Sequence, residues 1–114
     1  MLAKENRLKE DRDFEESRLE GKMFQSQNFG ASVLNRKNDS PSRFGFVIST
    51  KISRLAVSRN RIKRALIEAI RMNLKNIPRG YDFVFLVKKS LADKRVDEIM
   101  KEVEAFLNKG EYKN

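Results

Sequence analysis

Residues 81–89 read YDFVFLVKK. From Phe83 to Val87 every side chain is apolar. A strand with one face in water alternates apolar and polar residues; this run does not, so it predicts a central strand covered on both faces. That demand argues against a small helical bundle. It has to be met within 114 residues, a length that predicts one domain, residues 1–114, with one modest core.

The partners of that strand can be sought along the chain. RFGFVIST, residues 43–50, is rich in strand formers: Phe44, Phe46, Val47 and Ile48. MFQSQNFGASVLN, residues 23–35, reads as one or two strands with weak alternation. The turn cluster KNDSPSR, residues 37–43, lies between them and predicts a hairpin. Residues 12–20 predict a short helix with Asp11 or Asp13 as N-cap, Glu15 and Glu16 at the favourable end of its dipole, and Gly21 as its stop. A long helix follows Ser58, its expected N-cap, and ends before Pro78 and Gly80. Ile62, Ala65, Leu66, Ala69, Ile70, Asn73, Leu74 and Ile77 form its apolar stripe. The last helix is capped by Asp93, buries Val96, Ile99, Met100, Val103, Phe106 and Leu107, and closes at Gly110. The order is helix, two or three strands, helix, strand, helix. Phe24, Phe29, Phe44, Phe46, Phe83, Phe85 and Phe106 are assigned to the core.

The composition removes many activities. There is no Cys and no His, which excludes thiolate zinc sites, cysteine nucleophiles, serine–histidine triads and imidazole metal ligands. No stretch is apolar enough to span a membrane, so no membrane partner is expected. The N-terminal residues lack the apolar segment of a signal peptide, and the expected location is the cytoplasm.

The net charge is +9, and it is unevenly placed. Residues 40–92 hold twelve basic and two acidic residues, whereas the segments on either side are close to neutral. Four of the six residues from Arg59 to Arg64 are basic, and no acid occurs between Asp39 and Glu68. On the long helix Asn60, Arg64, Arg71 and Lys75 share the face opposite the apolar stripe, flanked by Arg61 and Lys63. A solvated helix face usually mixes signs at i, i+4. Cations in the first turns also oppose the helix dipole, a local penalty that an anionic partner removes. The Arg fork matches phosphates and base edges, and free N–H groups at a helix start add to such a site. The inferred partner is nucleic acid. Strong strands on both sides of the basic helix favour an RNA-binding module over a helix-turn-helix DNA reader.

NRLKEDRDF (6–14), FGFVIST-K (44–51), AVSRNRIKRALIEAIR (56–71) and GYDFVFLVK (80–88), in this order and spacing, resemble the bacterial ribonuclease P protein subunit. The resemblance spans about residues 6–107, and its most specific element is Arg59-Asn60-Arg61-x-Lys63-Arg64. It implies an α+β fold: a compact α-β-β-β-α-β-α domain with a mixed sheet and a left-handed β-α-β crossover, the hand opposite to the general rule. It implies that the catalyst is the ribonuclease P RNA, which uses Mg²⁺ held mainly by itself to remove the 5′ leader of precursor tRNA. The protein, one per RNA, would bind the catalytic RNA and the leader and hold no tight cofactor and no catalytic residue of its own.

By the same resemblance Arg59, Asn60, Arg61, Lys63 and Arg64 contact the catalytic RNA, with Ser49 and Lys51 at the neighbouring strand end. Arg71 extends that face. Phe14 matches the aromatic that lines the leader cleft. Four positions depart from the family: Arg18 replaces a second cleft aromatic, Gly30 and Ser32 stand at sheet positions often apolar or aromatic, and Ile67 replaces a basic residue. The expected cleft, with Phe14, Arg18, Gly30 and Ser32, is shallower and more electrostatic. From the residues alone Phe14 also fits a core position, and Lys88 and Lys89 fit either a basic rim or a solvated strand end. A ribosome-associated RNA-binding module is the alternative reading. An autonomous carboxylate nuclease would need clustered acids, and residues 40–92 offer only Glu68 and Asp82.

Overall fold

The structure is a computed structural model and describes residues 2–113. The apolar run forms β4 (Tyr81–Val87), and it is a central strand. On one side it pairs antiparallel with β2 (Phe29–Asn35), which carries β1 (Lys22–Gln25) as an antiparallel outer strand. On the other side it pairs parallel with β3 (Arg43–Val47), giving a mixed sheet in the order β1-β2-β4-β3.

Alternate residues of β4 go to opposite faces. Phe83 and Phe85 meet Phe29, Ala31, Phe44 and the apolar stripes of α2 (Ala56–Asn73) and α3 (Val96–Lys109), which together make the core. Phe83 stacks on Phe44 with centroids 5.0 Å apart, and Tyr112 meets Phe83 edge-on at 4.9 Å. Asp82, Val84 and Leu86 point to the other face, which α1 (Asp11–Glu20) covers in part. Phe29, Phe44, Phe83 and Phe85 are fully buried, and Phe24, Phe46 and Phe106 pack around them half-buried, as the sequence predicts.

The predicted hairpin between residues 23–35 and 43–50 does not form. The segment 23–35 splits into β1 and β2, which pair with each other, and β4 enters between β2 and β3. The turn cluster instead straddles the start of β4. The Arg36 N–H donates to the Gly80 carbonyl, and the Gly80 N–H donates to the Ser40 carbonyl, each at 2.8 Å. Ser42 Oγ donates to the Pro78 carbonyl at 2.6 Å and accepts from the Tyr81 N–H at 3.0 Å. Gly80 has φ +90°, and a Cβ there would collide with the Asn38 carbonyl, so glycine is required at this crossing.

The predicted caps are also displaced. α2 begins at Ala56, ahead of Ser58, with no side-chain cap; Ser53 Oγ accepts from the Leu55 N–H at 3.3 Å. Neither Asp11 nor Asp13 caps α1, which follows Glu10, and Asp13 is drawn to Arg43 instead. α3 starts at Val96 rather than at Asp93, with the Glu98 carboxylate accepting from the Arg95 N–H at 2.9 Å. Gly21 ends α1 in extended geometry (φ −81°) and not as a left-handed cap; it is needed because a Cβ would lie 2.5 Å from the Ser17 carbonyl oxygen. Gly110 closes α3 in the left-handed conformation, φ 67°, as expected.

Candidate nucleic-acid interface

α2 has no acid in its first turn, and its residues divide the basic motif into two kinds. Arg59 and Arg61 turn back onto the protein. Arg59 Nη1 donates to the Ser53 carbonyl at 2.7 Å, holding the β3–α2 connection. Arg61 donates to the carbonyls of Ala92 and Lys94, each at 3.1 Å, and so ties the start of α3 to α2. Asn60, Lys63 and Arg64 are exposed and, among the described residues, have no side-chain partner. They lie within one and a quarter turns on a single face. Arg71, further along, is bound by Glu68, whose carboxyl that hydrogen bond holds below the usual carboxylate range. Its guanidinium therefore already has an acidic partner within α2. Ser49 and Lys51 are exposed just beyond β3. Lys88 donates to the Ser26 carbonyl at 2.9 Å, and Lys89 is exposed.

The four residues predicted at the leader cleft are split by the fold. Phe14 is half-buried and lies against Gly45 of β3, where an added Cβ would sit 2.5 Å from its ring. Arg18 is exposed one turn later. Gly30 and Ser32 are on the sheet face that α1 partly covers, and both are buried. Ser32, 1% exposed, donates to the Ser17 carbonyl at 2.7 Å and so fastens α1 to the sheet. The side chains of Gln25 and Met23 close over Gly30.

A groove of about 360 Å³ opens beside Phe14 at the β3 edge. Phe14, Phe44 and Phe46 supply aromatic surface, and Arg7, Lys9 and Lys63 supply positive charge; Ile67 lies on its α2 side. It thus runs from α1 to the cationic strip of α2. Arg7 and Lys9 escape a reading by charge, because the first 39 residues are neutral in sum. The N-terminal segment brings them there by pairing with β3, its Leu8 N–H donating to the Phe44 carbonyl at 3.0 Å.

α1 is held over this region by charges that the periodicity of β4 conceals. Asp82, 2% exposed, accepts two hydrogen bonds from Arg43, Nε at 2.9 Å and Nη2 at 2.7 Å. The same guanidinium reaches Asp13 of α1 at 3.3 Å. The Asp82 hydrogen bond is the main reason the Arg43 pKa is raised. Arg36 Nε is 2.9 Å from Asp82 Oδ1 but poorly aligned, so it contributes charge rather than a hydrogen bond.

An α+β domain with a mixed sheet, a cationic strip unpaired among the described residues and an aromatic groove leading to it defines an RNA-binding protein. The chain belongs to the ribonuclease P protein family: the family model described as Ribonuclease P matches residues 2–111. It is 35% identical over 112 residues to the ribonuclease P protein component of Rippkaea orientalis, covering 95% of this chain and 88% of that protein. With the component from Pelotomaculum thermopropionicum it shares 34% identity, over 91% of each chain. Among solved structures, the Thermotoga maritima RNase P protein superposes with a TM-score of 0.81 at 30% identity, covering 92% and 97% of the two chains. The Staphylococcus aureus RNase P protein gives 0.86 at 26% identity, covering 96% and 98%. The family and its fold are therefore those the sequence motifs resemble. The chain is an RNA-binding protein component of ribonuclease P, the ribonucleoprotein that matures tRNA 5′ ends, and the ribosome-associated alternative is not favoured.

Proposed function

We propose that Asn60, Lys63 and Arg64, with Ser49 and Lys51 beside them, bind the ribonuclease P RNA, and that the groove at Phe14 receives the 5′ leader of precursor tRNA. The observation that carries this reading is the division of the basic motif. Arg59 and Arg61 are hydrogen-bonded to protein carbonyls and shape the surface, while Asn60, Lys63 and Arg64 are left to an outside anion. Arg7, Lys9 and Lys63 line the groove and supply the charge that a leader phosphate needs; Arg18 stands one turn beyond Phe14, and Phe14 offers a face for a base. Ser32 acts in the cleft from below, by fastening α1 to the sheet, and Gly30 by leaving room for the Gln25 and Met23 side chains. Arg71, paired with Glu68, is a peripheral contact. In this reading one protein serves each RNA, in the cytoplasm. Lys, Arg and Asn side chains with no carboxylate do not fit a hard divalent cation, so in this reading Mg²⁺ is held by the RNA.

Reconstitution tests the proposal. The catalytic RNA at low Mg²⁺ should cleave precursor tRNA faster with this chain than without it, and RNA-free protein should leave the substrate uncut. Phe14→Ala should keep RNA assembly and weaken binding of long-leader substrates by about 1–3 kcal/mol, the range for one base stacked on a ring. A loss of the same size with one-nucleotide leaders would remove Phe14 from the cleft and return it to the core.

A further inference from the structure

Beside the cationic strip, α2 and α3 enclose a second shallow groove of about 360 Å³, lined by Arg61, Arg64, Ala65, Glu68, Val96 and Met100. Its floor is aliphatic and thioether. Val96 is 41% exposed although Ile99, Val103 and Leu107 of the same helix are buried, against the expectation that it joins their face. Val57 is 75% exposed and shares a face of α2 with Arg61 and Arg64, four and seven residues on. The core uses neither valine fully. Arg61 is pinned by the carbonyls of Ala92 and Lys94, so it forms a fixed wall, and Arg64 is free at the opening. At the far end Glu68, bound to Arg71, disfavours a phosphate inside the groove.

We propose that this groove receives an unstacked nucleobase of the partner RNA, laid on Val96 and Met100 and against the Arg64 guanidinium, while the adjoining phosphates lie on Asn60, Lys63 and Arg64. It rests on the reading that the strip faces the ribonuclease P RNA. Charge complementarity selects the occupant: the rim and the start of α2 are positive and the floor is apolar, which suits a nucleotide with anionic backbone and flat apolar face. With arginines as the only donors, the slot takes bases by stacking and discriminates weakly among them.

The test uses the full chain and the ribonuclease P RNA. Val57→Ser/Val96→Ser and Arg64→Ala are titrated against the RNA from about 50 to 200 mM salt, the range over which released counterions are read. The double serine variant should bind about tenfold more weakly at every salt, with an unchanged salt slope, as for loss of one stacked base. It should also lose chemical protection of a single base. Arg64→Ala should weaken binding and lower the slope by about one. Should thermal melting show the double variant less stable, Val96→Thr alone, isosteric and at a half-exposed position in the groove, carries the comparison. Wild-type affinity and protection in the valine variants, with Arg64→Ala still impaired, would overturn the slot and leave the strip. Wild-type affinity in all of them would overturn the strip reading as well. A change in self-association of the protein without a change in RNA binding would assign the groove to a second copy and overturn the proposal.

Discussion

At the scale of single residues, the position the chain most depends on is one that strand periodicity hides. Asp82 stands in an otherwise apolar strand and would be costly to bury alone. It is tolerated because Arg43 meets it with two hydrogen bonds and Arg36 adds charge. Asp82→Asn should destabilise the fold by about 3 kcal/mol in denaturant unfolding. That is the lower end for a broken buried pair, since both guanidiniums keep some access to water. The variant should also loosen α1, through the Arg43–Asp13 contact. Gly45 acts at the same scale. A Cβ there would meet the Phe14 ring, and the ring can swing outward where a backbone could not. Gly45→Ala should therefore cost only about 1 kcal/mol of stability. It should reproduce the leader-length dependence of Phe14→Ala in substrate binding, because it moves the same ring.

At the scale of elements, α2 serves two masters within one short motif. Its apolar stripe, Ile62 to Asn73, docks on the sheet much as its periodicity predicts. Its basic residues split by direction. Arg61 faces the α3 start, so Arg61→Ala should lower thermal stability, by about 1–3 kcal/mol for charge-assisted bonds to carbonyls, as well as RNA affinity. Lysine should not rescue it, since one ammonium cannot reproduce the planar fork to two carbonyls. Arg64→Ala should leave melting unchanged and reduce only binding. Melting curves and RNA titrations on the same pair of variants separate the two roles. No spacing rule distinguishes Arg61 from Arg64. What tells them apart is the carbonyls of residues 92 and 94, about thirty positions later in the chain.

At the scale of the whole molecule, the C-terminal turn closes the core beneath the sheet. Tyr112 is buried against Tyr81, Phe83 and Phe106. Burial, with a smaller contribution from Tyr81, pushes its phenol up to about 12. The folded protein therefore holds a proton that the unfolded chain releases near pH 10. The stability from this group is complete below about pH 10 and is lost as pH rises towards 12. Thermal melts from about pH 9 to 11.5 should show wild type losing up to about 2 kcal/mol relative to Tyr112→Phe, whose ring cannot ionise. Equal alkaline slopes for the two would show that this turn opens before the phenol titrates.

The outcome of each inference follows the range of the interaction behind it. Helix stripes, the central strand, the aromatic core and the location of the positive charge are carried by neighbours within a turn or two of chain, and the sequence alone determined them. So did the family, because its motifs are short and ordered along the chain. The hand of the crossover came with that resemblance and from no physical rule, which would assign the opposite hand. The hairpin misled because turn chemistry near Pro41 is local, whereas strand order is decided by which arrangement buries both faces of β4. Only the tertiary structure placed β4 between β2 and β3, brought Arg7 and Lys9 to Phe14, sank Ser32 under α1 and Gly30 under Gln25 and Met23, and turned Arg59 and Arg61 inward. Each depends on a partner far away in sequence, where periodicity and charge counts carry no information.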